Sequence, residues 1–239
     1  MPSPLPLSPR QRLTWLAHFW KAATQQHHKE MRQVFGPILP QDGVVFDVGA
    51  HSGQFAKLFA QMVPNGHVYA FEPGSYALSL LRPILRLKRL ANVTVQECGL
   101  GDAEQELVLN MPKKRSGSYG FGLSFMGDAS GEARALVSET VRVRGIDDVV
   151  AELGLERLDL IKADIEGSEM RMLAGAEATL RRYRPALFLE VSDSTLRRQG
   201  DSIAGLTEFL KGLGYAPQGG WRDEPVRGDV LFVAAGALP

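Results

Sequence analysis

The sequence has one cysteine, no excess of either charge and no long apolar run. Cys98 cannot form an internal disulfide, which is compatible with a reducing compartment. The 27 Lys and Arg residues balance the 27 Asp and Glu residues, so overall charge does not favour a nucleic acid partner. No apolar run approaches the roughly 20 residues that span a bilayer, and the first residues lack the pattern of a secretory signal. We therefore expect a cytoplasmic protein without integral membrane association.

The N-terminal part differs in composition from the rest of the chain. Residues 1–9 contain four prolines and are expected to be extended or disordered. Residues 10–35 show a helical pattern whose predicted apolar face includes Leu13, Leu16 and Trp20. This helical extension could cap a ligand, form a homodimer contact or pack on a sheet edge.

From residue 43 onward, strand-like and helix-like segments alternate, so we divide the chain into an extension, 1–42, and a main domain, 43–239. Strands are predicted at 44–48, 67–71, 93–97, 105–109, 139–144, 158–163, 186–191, 215–218 and 229–235, and helices at 53–63, 75–90, 146–153, 167–181 and 202–213. Pro83 should kink or split its helix. The alternation predicts a Rossmann-like α/β fold with a mostly parallel sheet. The last two strands have no helix between them, which indicates an antiparallel last strand.

A glycine turn between the first strand and the first main-domain helix is the most informative motif. Gly49 would let the backbone approach a ligand, and Gly53 would allow a tight helix entry whose free N–H groups attract an anion. Asp47 could face an ammonium group, while His51 could point at the ligand or lie on the exposed turn. Glu72, at the end of the second strand, can accept two hydrogen bonds from a ribose diol.

The spacing of these glycines favours S-adenosylmethionine as the cofactor. The segment Gly-Ala-His-Ser-Gly lacks the third glycine of a dinucleotide fingerprint and the short gap between its first two. An NAD(P)-binding oxidoreductase remains the alternative from a different class of enzyme. A non-catalytic cofactor-binding protein is a third possibility that the sequence leaves open.

A second cluster of charged residues surrounds the end of strand 158–163. Transfer of a methyl group from S-adenosylmethionine needs alignment with an acceptor, and Asp164 is our first candidate for a residue near the transferred methyl group. Glu190, at the next strand end, is the second candidate. Lys162 could polarise the acceptor or neutralise Asp164, and Glu169 is expected to be structural. No ligand spacing predicts a metal.

These motifs together resemble the FkbM-type methyltransferases over residues 43–191. The matching stretches include 47–55 and 162–169. The resemblance implies a seven-stranded sheet with an antiparallel last strand, S-adenosylmethionine as cofactor, and a hydroxyl acceptor on a small molecule, sugar or lipid. It also implies a cofactor contact near Asp102, where the match is loose. His51 departs from the asparagine that is more frequent in the family.

A long loop over residues 111–131 is rich in glycine, basic residues and aromatics. Long loops in compact domains often act as lids. We predict either that this loop folds over the acceptor, with Tyr119 or Phe121 stacking on a ring, or that it is a mobile surface segment without such a role.

Overall fold

The computed structural model describes residues 8–112, 125–126, 136–222 and 225–236. The helices are α1 (Pro9–Thr24), α2 (Met31–Phe35), α3 (Gln54–Met62), α4 (Ser75–Leu87), α5 (Ile146–Glu152), α6 (Glu169–Ala174), α7 (Glu177–Tyr183), α8 (Asp193–Arg198) and α9 (Ile203–Gly212). The strands are β1 (Val44–Val48), β2 (His67–Phe71), β3 (Val93–Gln96), β4 (Gly99–Gly101), β5 (Gln105–Pro112), β6 (Phe125–Met126), β7 (Leu136–Gly145), β8 (Leu160–Ala163), β9 (Ala186–Val191), β10 (Tyr215–Pro217) and β11 (Gly228–Ala234).

The main sheet has seven strands in the order β10-β11-β9-β8-β1-β2-β3. Strand β11 runs antiparallel to both of its neighbours, and the other pairs are parallel, which confirms the predicted sheet. Val48 at the end of β1 is in register with Phe71 of β2 and with Ala163 of β8. The carboxyl ends of these three strands therefore lie side by side where the strand order reverses, which is where ligands bind in such sheets.

A second sheet, in the order β4-β7-β5-β6, was not predicted. Strands β5 and β7 form a long antiparallel pair, and β4 runs parallel to β7. The sequence did indicate strands at 105–109 and 139–144, but strand propensity alone does not tell which sheet a strand joins. Leu109 of β5, in this second sheet, lines the cleft described below.

The predicted helix over 10–35 is two helices, and the apolar face predicted for its first part was wrong. Leu13, Leu16 and Trp20 are 69%, 54% and 70% exposed. The side of α1 that packs on the body of the protein carries Trp15 and Phe19, whose rings stack at 5.4 Å. The helix has apolar residues at helical spacing on two sides, so only the tertiary contact decides which side is covered.

Helix α1 is capped at both ends. At its start, Ser8 and Gln11 form a capping box on either side of Pro9, so Pro9 belongs to α1 and not to the predicted tail. The rest of that tail, residues 1–7, lies outside the described residues. At its end, Nζ of Lys57 donates to the carbonyl oxygens of Ala22, at 2.5 Å, and Gln25, at 3.0 Å. Burial lowers the pKa of Lys57 to about 8. This lysine of α3 satisfies free carbonyls at the negative end of the helix dipole and so fixes α1 against α3.

Two helices differ from the prediction in whether they are interrupted. Helix α4 continues through Pro83, which does not split it. The predicted helix over 167–181 is instead divided into α6 and α7 around Gly175, where a Cβ atom would lie 2.0 Å from the carbonyl oxygen of Gly101. This close approach of β4 requires glycine at the break.

Candidate active site

A cleft of about 270 Å³ opens at the carboxyl ends of β1, β2 and β8, close to the lower limit of roughly 300 Å³ for small-molecule pockets. It is lined by His28, Gly49, Ala50, His51, Ser52, Gln54, Phe55, Glu72, Pro73, Leu109, Lys162, Asp164, Ile165 and Glu166. The cleft therefore joins the glycine turn, the second strand end and the Asp164 segment, which the sequence had suggested separately.

The glycine turn comes very close to the Asp164 segment. Gly49 has a φ of +71°, and a Cβ atom at this position would lie 2.2 Å from the carbonyl oxygen of Asp164. Gly53, with a φ of +82°, is the N-cap of α3 and offers no side chain to cap the first N–H groups of that helix. An anionic group of a ligand can therefore approach the start of α3 without displacing a capping side chain.

Glu72 joins the end of β2 to the glycine turn. Its Oε2 atom accepts a hydrogen bond from the backbone N–H of His51 at 2.8 Å, and its Oε1 atom accepts one from the N–H of Gly74 at 2.8 Å. Burial raises the pKa of Glu72 to about 7, although both hydrogen bonds oppose this rise. Each carboxylate oxygen keeps a further lone pair, so the group can also accept hydrogen bonds from a ligand in the cleft.

His51 occupies a turn position with a φ of +51°. Its side chain lines the cleft, and Nδ1 lies 3.3 Å from Oγ of Ser52. Burial lowers the pKa of His51 to about 4, so the imidazole is neutral at pH 7. A neutral ring adds no charge next to the carboxylate of Glu72.

Lys162 lies beneath the turn and connects β8 to β1. Its Nζ atom donates to the carbonyl oxygens of Val48 and Gly49, each at 3.2 Å, and forms an ion pair with Asp47 at 3.4 Å. Asp47 has no exposed surface, so burial raises its pKa, while the charge of Lys162 and the N–H of Ala56 oppose the rise. The arrangement holds the start of the glycine turn in place.

Asp164 and Glu190 form a carboxyl pair at the ends of β8 and β9. Burial, followed by the charge of Asp164 and a hydrogen bond with it, raises the pKa of Glu190 to about 8. Glu166 and Asp229 also contribute, and Asp229 lies opposite Glu190 in the β9–β11 register. At neutral pH Glu190 therefore keeps its proton, as expected for a carboxyl group that lies close to another one.

The turn after Asp164 is held by Glu169, the residue expected to be structural. Its Oε1 atom accepts from the N–H groups of Ile165, at 3.3 Å, and Gly167, at 3.4 Å. Burial raises the pKa of Glu169 to about 7. Gly167 has a φ of +103°, and a Cβ atom there would lie 2.2 Å from the carbonyl oxygen of Thr195. The turn thus has little freedom to move Asp164.

The structure separates the predicted site residues into three groups. Those that line the cleft are Gly49, His51, Glu72, Lys162 and Asp164. Asp47 and Gly53 are buried under the turn and do not line the cleft, although Asp47 was expected to face the ligand. Asp102 and Glu190 lie outside the cleft. Asp102 accepts a hydrogen bond from Gln105 at 2.9 Å, and Glu190 lines a neighbouring cleft.

His28 and Phe55 are among the cleft residues that were not predicted as site residues. His28 lies between α1 and α2, and its ring stacks on Phe55 with 4.6 Å between centroids. Gln26 extends this contact by donating through Nε2 to the carbonyl oxygen of Gln54 at 2.9 Å. The sequence offered no signal for His28, whose position depends on the packing of α1.

Two other predictions concern the surroundings of the cleft. Most of the loop over 111–131, with Tyr119 and Phe121, lies outside the described residues, so its role as a lid stays a prediction. Among the residues that the structure describes, no group of three or more His, Cys, Asp or Glu side chains is placed to hold a metal ion.

Comparison with protein families gives a match over most of the chain. Residues 47–217 match the model of the methyltransferase FkbM domain. AmbE, an antimetabolite synthetase from Pseudomonas aeruginosa, is 34% identical over 215 residues, which cover 74% of this chain and 10% of AmbE. NoeI, a 2-O-methyltransferase from Sinorhizobium fredii, is 29% identical over 221 residues, which cover 85% of this chain and 84% of NoeI. The chain therefore spans a small part of the first relative and most of the second.

The fold is also found among solved structures. The crystal structure of a methyltransferase FkbM from Methylobacillus flagellatus superimposes with a TM-score of 0.55 at 20% identity, covering 88% of this chain and 47% of that chain. This similarity supports the arrangement of strands and helices around the cleft.

Proposed function

The chain belongs to the FkbM methyltransferase family, and we propose that it transfers a methyl group from S-adenosylmethionine to a hydroxyl oxygen of a small polar molecule. The observation that carries the proposal is the cleft itself, where Gly49, Glu72 and Asp164 meet at the reversal of strand order. The family match favours methyl transfer over the oxidoreductase that the sequence left open.

The residues of the cleft fit S-adenosylmethionine by the chemistry of their donors and acceptors. At the start of α3, Gly53 offers no capping side chain and the N–H of Ala56 interacts with Asp47, so the remaining N–H groups suit a carboxylate. Glycine at position 49 lets the turn approach Asp164, with which a side chain would collide. The carboxylate of Glu72 suits a ribose diol. When bound, the cofactor would supply an electrophilic methyl group on a sulfonium.

The acceptor hydroxyl must lose a proton as its oxygen takes the methyl group. We assign this proton to the carboxylate of Asp164, which is exposed to the cleft. Glu190 is a positioning residue in this scheme, because its proton holds the Asp164 carboxylate by a hydrogen bond. Lys162 supports the glycine turn and is not required to touch the acceptor.

The surface beside Glu190 favours a polar acceptor. A shallow cleft there is lined by Ser192, Asp193, Ser194, Arg197 and Arg227, among others. Hydroxyl, carboxylate and guanidinium groups bind hydroxyl-rich molecules better than apolar ones. The relative NoeI is named a 2-O-methyltransferase, which also supports oxygen as the acceptor atom.

Calorimetric titration with S-adenosylhomocysteine and, in parallel, with NADH tests the cofactor assignment. We expect binding of S-adenosylhomocysteine alone. Glu72→Ala should weaken that binding, whereas Asp164→Ala should leave it nearly unchanged and reduce methyl transfer to a hydroxyl acceptor. Binding of NADH alone, or equal and negligible effects of the two substitutions, would contradict the proposal. Cofactor binding without transfer to any hydroxyl acceptor would favour a non-catalytic role.

A further inference from the structure

Helix α1 exposes an apolar stripe on the side that faces away from the protein. The stripe consists of Leu13, Leu16, Ala17 and Trp20, and its three large side chains are 54–70% exposed. The opposite side of the helix is already used, because Nε1 of Trp15 donates to Oγ of Ser79 on α4. A helix with apolar residues on two sides, of which one is covered, has a surface suited to a partner.

The charges around this stripe have one sign. No acidic residue occurs from position 8 to position 29, although the whole chain has no net charge. At 3.6 residues per turn, Arg10 and Lys21 lie along one side of the stripe and Arg12 along the other. Helix α4, against which α1 packs, also contains no acidic residue and carries Arg82 and Arg86.

Two acidic side chains from other parts of the described chain contact α4. Glu97 forms an ion pair with Arg82, and Oε1 of Glu139 accepts from the N–H of Ser75 at the start of α4. Arg10, Arg12 and Lys21 are exposed. A partner that covers the stripe would therefore meet the positive charge of Arg10 and Lys21 along one side of it.

We propose that this face of α1 binds an anionic lipid surface, with the helix lying in the plane of the membrane. Leu13, Leu16 and Trp20 would enter the boundary between headgroups and acyl chains, and the basic side chains would face lipid phosphates. A second copy of the chain fits the surface less well, because pairing two α1 helices would bring their basic residues together. The binding is peripheral, since no helix among the described residues has the length and apolarity to cross a bilayer.

Such binding would place the cleft close to the membrane. The segment that follows α1 contains His28, which lines the cleft and stacks on Phe55. Lys57 connects the end of α1 to α3, whose first residues line the same cleft. The helix and the cleft are therefore held together as neighbouring parts of one rigid arrangement.

Vesicle flotation of the full chain tests the proposal. We expect binding to vesicles of phosphatidylcholine with phosphatidylglycerol, and little binding to phosphatidylcholine alone. Leu16→Gln with Trp20→Gln should weaken the partition coefficient about tenfold or more. Arg10→Gln with Lys21→Gln should weaken it about fivefold for each charge removed. Val108→Thr is the matched control, because Val108 is 46% exposed on β5 and should not affect binding.

Other outcomes would overturn the proposal. Thermal unfolding should show that the variants fold normally, as substitutions at exposed positions usually do. Absence of binding to anionic vesicles would exclude a lipid partner. Loss of binding in the charge variant but not in the apolar variant would exclude insertion of the stripe. A dimer in solution that dissociates with Leu16→Gln and Trp20→Gln, without vesicle binding, would assign the stripe to a second copy of the chain.

Discussion

The Nζ atom of Lys162 lies 3.4 Å from Oδ1 of Asp47, and both side chains are buried beneath the glycine turn. Lys162 shares a strand face with Asp164, which had suggested a role at the acceptor or in neutralising Asp164. The structure pairs it with Asp47, on the neighbouring strand β1. In this position the lysine stabilises the turn on which the cleft is built.

Lys162→Met should therefore reduce the free energy of unfolding by about 3–5 kcal/mol, because it leaves the buried carboxylate of Asp47 without a counter-charge. Urea unfolding measures this change. The double variant Asp47→Asn with Lys162→Met removes both charges and should recover most of the loss. A single variant as stable as the double variant would contradict the pairing.

The affinity for S-adenosylhomocysteine should depend on pH through Glu72. The ionised carboxylate accepts hydrogen bonds, and the pKa of Glu72 is raised to about 7. Binding should therefore weaken as the pH falls below 7, by up to about tenfold per pH unit if only the ionised form binds. Calorimetry from about pH 5.5 to about pH 8.5, a range of about 3 units around this pKa, measures how steeply the affinity changes with pH. In Glu72→Gln the affinity should be lower and the slope lost; an unchanged slope would assign it to another group.

Gly49→Ala should destabilise the protein more than Gly154→Ala does. Both glycines have a positive φ, but a Cβ atom at position 154 meets nothing within 4 Å, whereas one at position 49 would lie 2.2 Å from the oxygen of Asp164. The control, Gly154→Ala, should lower the free energy of unfolding by about 1 kcal/mol, because alanine disfavours a positive φ. Gly49→Ala should lower the free energy of unfolding by this amount and by a further ~1–3 kcal/mol, because its Cβ atom collides with Asp164. Similar midpoints in chemical unfolding would show that the turn can move away from Asp164.

Glu190→Gln should change how stability depends on pH. The folded-state pKa of Glu190 is raised to about 8 from an ordinary value of 4.5. The folded state therefore binds the proton of Glu190 more tightly than the unfolded state does. The stabilisation from this proton is fully present below pH 4.5 and is lost as the pH rises through 8. The variant, which has no such proton, should lose less stability over this interval. Parallel curves for both proteins would refute the raised pKa of Glu190.

Much of the fold could be predicted because the relevant signals are local. Strands β1 and β2 have the predicted bounds, since each is a short apolar run that ends at a turn residue. The covered side of α1 could not be predicted, because the sequence contains two apolar stripes. One stripe is covered and the other exposed because Tyr76, Leu80 and other residues of α4 pack on only one of them.

The candidate site was predicted in part for a similar reason. Glycines and acids at strand ends indicate where a cleft forms, and Gly49, Glu72 and Asp164 do lie together there. Whether an acid faces the cleft depends on its partner across the sheet, as the burial of Asp47 against Lys162 illustrates. Such a pairing between strands distant in the chain leaves no mark in the local sequence.

The double attachment of Glu72 has a consequence for how this cleft can change through mutation. The carboxylate that is available to a ligand also fixes the N–H groups of His51 and Gly74. A substitution that retunes ligand preference at position 72 would at the same time release the loop beside it. Changing the ligand preference of this cleft would therefore require libraries that vary positions 51, 72 and 74 together, because a replacement at position 72 alone would release both N–H groups.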